Sequence, residues 1–205
     1  MAIKQASRSS ISTGSKTSTF WDQESAEGDL VPIASFYATS VSTSSVGFTN
    51  IPQDFRDLYV TYQVAASGNT TIGWRPNNIS TGSLYSYTMA LYSPQSNPTA
   101  AQTPRATGEN LANASGYHQF VLNSTVTPYF FTAYTHINSY SNPNVFKTLF
   151  TRYGQNANGV EANEEIGFTV NLLRDTSAIT SLYLVASTGA NFAIGTTVSL
   201  YGIRG

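Results

Sequence analysis

Cysteine is absent from the 205-residue chain. That absence removes disulfide scaffolds, thiolate metal sites and thiol nucleophiles together. Charge is scarce as well: ten basic and eleven acidic residues make up 10% of the chain, against about a quarter in ordinary soluble proteins. With a net charge of −1 and a pI near 6.1, no basic surface for general nucleic-acid binding is expected. Histidine occurs only at His118 and His136. No apolar run approaches the ~18 residues that a membrane span needs. The opening stretch MAIKQASRSSISTGSKTSTF lacks the apolar segment of a secretory signal, so neither membrane insertion nor export by that route is expected.

What the chain has in abundance is hydroxyl and aromatic side chains. Ser and Thr account for 52 residues, and 13 Tyr, 11 Phe and 2 Trp bring the aromatic share to 13%. So much apolar and aromatic surface at so low a charge is the composition of a folded chain with a core, not of a disordered one. The length suits one domain of ordinary size with an appendage.

The appendage is residues 1–30. Up to Thr19 the segment is rich in Ser and Thr and carries Lys4, Arg8 and Lys16. Phe20 and Trp21 follow, and then the acidic residues Asp22, Glu24, Glu27 and Asp29. No helical or strand period runs through it. It reads either as a disordered tail or as an arm that orders on a partner. In the second case Phe20 and Trp21 are the aromatic anchor of a docking interface, and Lys4, Arg8 and Lys16 assist.

From residue 31 onwards the pattern changes to short strands. Leu58, Val60, Tyr62 and Val64 alternate with Tyr59, Thr61 and Gln63, the period of two of a half-buried strand. Similar β-branched and aromatic runs occupy 84–92, 128–137, 145–153, 166–173, 179–186 and 196–203, with weaker candidates at 32–38, 45–49, 70–75 and 117–123. Gly, Pro, Asn and Ser turns separate roughly eleven strands, and sustained helical spacing is absent. Residues 31–205 therefore read as one all-β domain, a sandwich or barrel. Two long polar connections, 93–116 and 154–164, interrupt it.

Chemistry is hard to find in these residues. There is no G-x-S-x-G elbow and no phosphate-binding glycine motif, and both histidines fall in predicted strands. Asp54, Asp57, Glu161, Glu164 and Glu165 look like turn and strand-edge acids rather than the paired carboxylates of a glycosidase. Four N-x-[ST] triplets, at Asn69, Asn78, Asn113 and Asn123, are what chance supplies in so Asn- and Ser-rich a chain. No catalytic residue, metal or cofactor is expected. Glycan binding is the more tangible possibility. Trp74 with Arg75, Asn77 and Asn78 would form a stacking and hydrogen-bonding cluster, Arg105 in the first long loop would add a charge, and Tyr85, Tyr87 and Tyr92 could form a second platform. The same aromatics would equally serve a core or a subunit interface.

Three stretches carry a resemblance. Phe48 to Leu58 (FTNIPQDFRDL) is similar to an F-x-x-I-P-Q-x-[FY]-x-x-L lead-in to a strand found in many tailed-phage structural proteins. Residues 177–184 (SAITSLYL) followed by 191–196 (NFAIGT) resemble their penultimate hairpin. Residues 199–205 (SLYGIRG) resemble their C-terminal strand. The opening, from Ala6 through Lys16 to Asp22, is similar to the arms of small phage virion proteins. Residues 66–165 match nothing comparable.

This resemblance to small tailed-bacteriophage virion proteins implies a jelly-roll-like antiparallel β-sandwich preceded by an extended N-terminal arm. It also implies a virion building block without enzymatic activity, used as a capsid decoration or as a tail, baseplate or fibre module. Its partners would be itself, as a homotrimer by analogy, and other capsid or tail proteins. Assembly would take place in the host cytoplasm, a reducing compartment that suits a cysteine-free chain. The alternative role is that of an adhesin recognising a host-surface polysaccharide through the loop 93–116 and the Trp74 cluster.

Overall fold

The computed structural model describes residues 30–41, 43–68, 70–92, 105–107, 130–155, 165–186 and 190–204. The anchor residues Lys4, Arg8, Lys16, Phe20 and Trp21 lie outside them, as do His118, Glu161, Glu164 and the candidate strand 117–123.

Among the described residues eleven strands follow in chain order: β1 (Leu30–Tyr37), β2 (Ser45–Phe48), β3 (Asp57–Val64), β4 (Ile72–Pro76), β5 (Tyr85–Tyr92), β6 (Arg105–Thr107), β7 (Phe131–Asn138), β8 (Lys147–Gln155), β9 (Glu165–Leu173), β10 (Leu182–Ala186) and β11 (Thr197–Ile203). All pairings are antiparallel. An eight-stranded sheet runs β1-β11-β3-β7-β8-β9-β5-β6, and a three-stranded sheet runs β2-β10-β4.

The pairings are nested. The first strand pairs with the last, β2 with β10, and β3 with β7. Rolling this long hairpin up brings β11 against β3 and β10 against β4. That is the connectivity of a jelly roll, here with β8 and β9 inserted between the third pair and β10, so that β5 joins the large sheet through β9.

The two sheets are held together by one apolar cluster. Leu58, Val60, Tyr62 and Val64 of β3 point inward with Phe131 and Ile137 of β7, and meet Trp74 of β4 and Leu182 and Leu184 of β10. Trp74 stands edge-on to Tyr62, with ring centroids 5.3 Å apart. Its indole N–H donates to Thr135 Oγ1 at 3.0 Å, and Thr135 Oγ1 lies 2.8 Å from Thr151 Oγ1 and 3.3 Å from the Tyr62 hydroxyl. A hydroxyl offers one donor and two acceptors, so Thr135 is saturated by these partners.

The stretches that carry the virion resemblance meet in this fold. Ile51 is buried, and its N–H donates to Thr180 O at 3.0 Å. Gln53 Nε2 donates to Ile51 O at 2.8 Å and to Ile179 O at 3.0 Å. The Phe55 ring lies against Gly202, where an added Cβ would stand 2.3 Å from ring carbons; this close approach is what requires glycine there. These residues serve the framework, and their roles are accounted for by packing.

Candidate functional site

Alternation fixes a strand's period but leaves open which phase faces the core. On β7 the phases sort conventionally: Phe131, Ala133 and Ile137 are buried, while Thr132, Tyr134, His136 and Asn138 face outward. On β8 and β9 the sorting is partly inverted. Lys147, Thr151, Thr169 and Asn171 are buried, whereas Phe150, Ile166 and Phe168 stand on the outer face at 43%, 61% and 51% exposure. Both side-chain amide atoms of Asn171 are buried without a hydrogen-bond partner.

The register gathers the outward residues into one patch. Phe150 pairs with His136 on one side and Val170 on the other, Arg152 pairs with Tyr134 and Phe168, and Gly154 pairs with Ile166. Tyr59 lies opposite His136 and stacks at a tilt on Tyr134, centroids 5.6 Å apart. All of these but Gly154 line a bowl of ≈ 970 Å³, and no acidic residue is among its described lining. Burial, and next the neighbouring Tyr134, raise the Tyr59 pKa, while Arg152 works against them. Large apolar side chains left half in water this way forgo roughly 1 kcal/mol each relative to full burial, and contiguous exposure of this kind marks an interaction surface.

At the bowl's edge a carboxylate ties the outer face to the β7–β8 turn. Asp57 Oδ1 accepts the Ser139 N–H at 2.8 Å, and Oδ2 accepts from Arg56 Nε at 3.0 Å and meets His136 Nε2 at 3.2 Å. Burial pushes the Asp57 carboxyl up, but the Ser139 N–H, Arg56 and His136 together overcome it and hold the pKa below the usual carboxylate value. Ser139 has φ 49°, a left-handed conformation that the bond to Asp57 helps hold. On the opposite side of the strand Lys147 is buried. Its Nζ donates to Asn142 O and to Val145 O, and burial lowers its pKa against the opposing pull of Asp175.

The possible glycan cluster does not assemble, and Trp74 and Tyr85 take the core role weighed beside it. Trp74 has no exposed surface, because pairing with Leu184 turns its ring into the core; a platform built on it is corrected. Arg75 takes the outward phase and is half-buried. Asn77 and Asn78 have φ of 50° and 53° and form a turn closed by Ile79 N–H to Pro76 O at 2.9 Å, the left-handed pair that favours Asn. The Asn77 side chain is engaged by Ala178 O and by the N–H groups of Thr180 and Ser181. Arg105 lies on β6, at the far edge of the large sheet. Tyr85 is buried and donates to Ile79 O at 2.9 Å.

No protein-family model and no curated protein matches this chain.

The sequence reasoning passed over Phe150, Arg152, Ile166 and Phe168. A signal was present: in IGFTVNLL the phase of Ile166, Phe168 and Val170 is more apolar than the phase of Gly167, Thr169 and Asn171. Combined with the register of the neighbouring strands, that imbalance marks an apolar face turned outward. Among the described residues no group of three or more His, Asp or Glu gathers to hold a metal.

Proposed function

We propose that this chain is a non-enzymatic structural subunit of a tailed-bacteriophage virion. Its residues 1–29 dock it to the particle, and its sandwich faces outward as a capsid decoration or a short tail or baseplate appendage. It works as a homo-oligomer, a trimer by analogy with fibre and decoration proteins, beside other virion proteins, and it is assembled in the host cytoplasm without a cofactor.

One observation carries this reading: the bowl on β7, β8 and β9, with Phe150, Ile166 and Phe168 turned to the outside. A fold that turns its apolar phase outward and keeps Thr, Lys and Asn inside is suited to a subunit whose outer face is covered on assembly. The jelly-roll nesting of the strands and the motif resemblance at both ends of the chain agree with a virion building block.

The test is incorporation. Deleting residues 1–29 should abolish loading onto particles while the β-rich circular dichroism spectrum persists, and light scattering of the full chain should give a multiple of the 22.1 kDa protomer. Normal loading by the truncated chain refutes the docking role, and a strictly monomeric full-length chain refutes the oligomer.

A further inference from the structure

The chain that precedes Leu30 carries what the bowl lacks. Residues 20–29 hold an aromatic pair, Phe20 and Trp21, followed by four carboxylates at positions 22, 24, 27 and 29. The bowl is apolar, has Arg152 and His136 in its wall, and has no acid among its described lining, Asp57 at its edge being engaged by His136 and Arg56. The ion pairs among the described residues, Arg56–Asp57 and His136–Asp57, leave Arg152 out. Other segments of the chain fit less well: 93–104 (SPQSNPTAAQTP) offers no large apolar side chain, 156–164 (NANGVEANE) offers only Val160, and 108–129 offers Tyr117 and Phe120 but a single acid, Glu109, far from them in sequence. A second copy laid face to face on a two-fold axis would set Arg152 against Arg152.

Reach bears on which subunit supplies the leader. Leu30 begins β1 at one edge of the large sheet, and β8 and β9 lie four and five strands away. That separation is about 19–24 Å across the sheet. The bowl is also displaced along the strands: Leu30 aligns through Ile203 with Asp57, two residues short of Tyr59, which adds about 7–14 Å. Trp21 stands nine residues before Leu30, a tether of at most about 32 Å. Returning to its own bowl would spend about 20–28 Å of that tether lying across its own β11, β3 and β7, whereas the homo-oligomer proposed above offers the same leader the bowl of another copy.

We infer that the bowl formed by Tyr134, Phe150, Arg152, Ile166 and Phe168 receives Phe20 and Trp21 from the leader of a neighbouring copy of this chain, with Asp22 set against Arg152. This deepens the reading above and rests on its homo-oligomer. The arm's receptor is the chain's own fold, and copies are joined by exchanging arms.

A cysteine-free chain makes the test clean. Full-length protein carrying Trp21→Cys is mixed with full-length protein carrying Ile166→Cys under mild oxidation, with Tyr37→Cys on the receiving chain, exposed on β1 at the far edge of the sheet, as the off-site control. The 21–166 disulfide should exceed the control by about tenfold, and Phe168→Glu or Arg152→Glu on the receiving chain should reduce it by a similar factor. Asp22→Arg on the donor should then rescue Arg152→Glu, which a merely misfolded receiver would not allow.

A cross-link confined to chains bearing both cysteines and running as a compact monomer overturns the proposal, since the leader then seats on its own subunit. A dominant 166–166 product overturns it in favour of face-to-face copies. Absence of any link from position 21 to 166 overturns it in favour of another cover, such as residues 108–129 or a foreign partner. If the full chain stays oligomeric without the 21–166 link, the seat is refuted and the proposed function stands. If the chain is monomeric, both fall.

Discussion

Replacing Thr135 by Val keeps the shape of the side chain and removes one oxygen, yet that oxygen serves three partners. The Trp74 indole N–H donates to it at 3.0 Å, and Thr151 and Tyr62 share it at 2.8 and 3.3 Å. The Thr151 and Tyr62 hydroxyls can rotate towards other acceptors. The indole N–H has no such freedom, because it only donates and its ring is fixed edge-on to Tyr62 with no exposed surface. Orphaning a buried donor costs about 1–3 kcal/mol, and the added methyl returns less than about 1. The expected loss is therefore about 2 kcal/mol, a Tm decrease of about 4–8 °C for a chain of this size. Urea denaturation followed by near-ultraviolet circular dichroism measures it. The decisive control is the same substitution in a Trp74→Phe background, where no indole donor is left to orphan and the cost should fall below about 1 kcal/mol. A loss under about 0.5 kcal/mol in the wild-type background, or equal losses in both, refutes the assignment of Thr135 as the hub between the sheets.

Asp57→Asn should destabilise the chain by about 1–2 kcal/mol at neutral pH, since it weakens charged bonds to Arg56 and His136. Because the folded-state pKa lies below the ordinary aspartate value of 3.8, the unfolded chain takes up the proton first. The stabilisation is thus complete above about pH 5 and is lost as the pH falls through the folded value. Denaturation midpoints of the two proteins should converge in acid; a gap that persists at pH 2 contradicts this origin. Asn171→Leu should raise stability by about 1 kcal/mol or more, because both amide atoms are buried without partners and an apolar side chain carries no such penalty. A clear loss of stability in urea titration would mean that the amide is in use.

Much of the fold was legible because its strands announce themselves locally. Ten of the expected strands coincide with observed ones, within a few residues at their ends. Leu58, Val60, Tyr62 and Val64 have the inward phase that their alternation implies. The short β6 was not anticipated, and the reason is physical: three residues are too few to show an alternation, only Thr107 among them favours a strand, and they pair because β5 leaves an edge open to them. The jelly-roll nesting follows from pairings such as Leu30 with Ile203, 173 residues apart in sequence, which no local pattern encodes. Trp74 misled for a related reason. It falls in the candidate strand 70–75, where its polar neighbours Arg75, Asn77 and Asn78 suggest a glycan cluster, but the register with Leu184 sends alternate residues to opposite sides and its ring to the interior.

The bowl was the least legible feature, because it depends on a phase that neighbouring strands impose. Sliding β9 by one residue would place Ile166, Phe168 and Val170 inside and Thr169 and Asn171 outside, the arrangement that an isolated chain in water would favour. That slip is opposed by the partners of β9. Leu173 is held inward against Lys147 and Tyr85, and Thr169 sits between Thr151 and Met89, all of them buried. β8 is fixed in turn by Leu149 against Ile137 and Tyr153 against Ala133. The inverted polarity is therefore a consequence of a correctly paired sheet rather than a defect in it. Its cost has two parts, an unpartnered Asn171 inside and half-wet Phe150, Ile166 and Phe168 outside, and only the second can be lowered from outside the sandwich. Covering the bowl removes the apolar half of that cost. This gives association a driving force that truncation at Phe168 should weaken and that substitution of the equally exposed Tyr37, on β1 at the far edge of the same sheet, should leave intact.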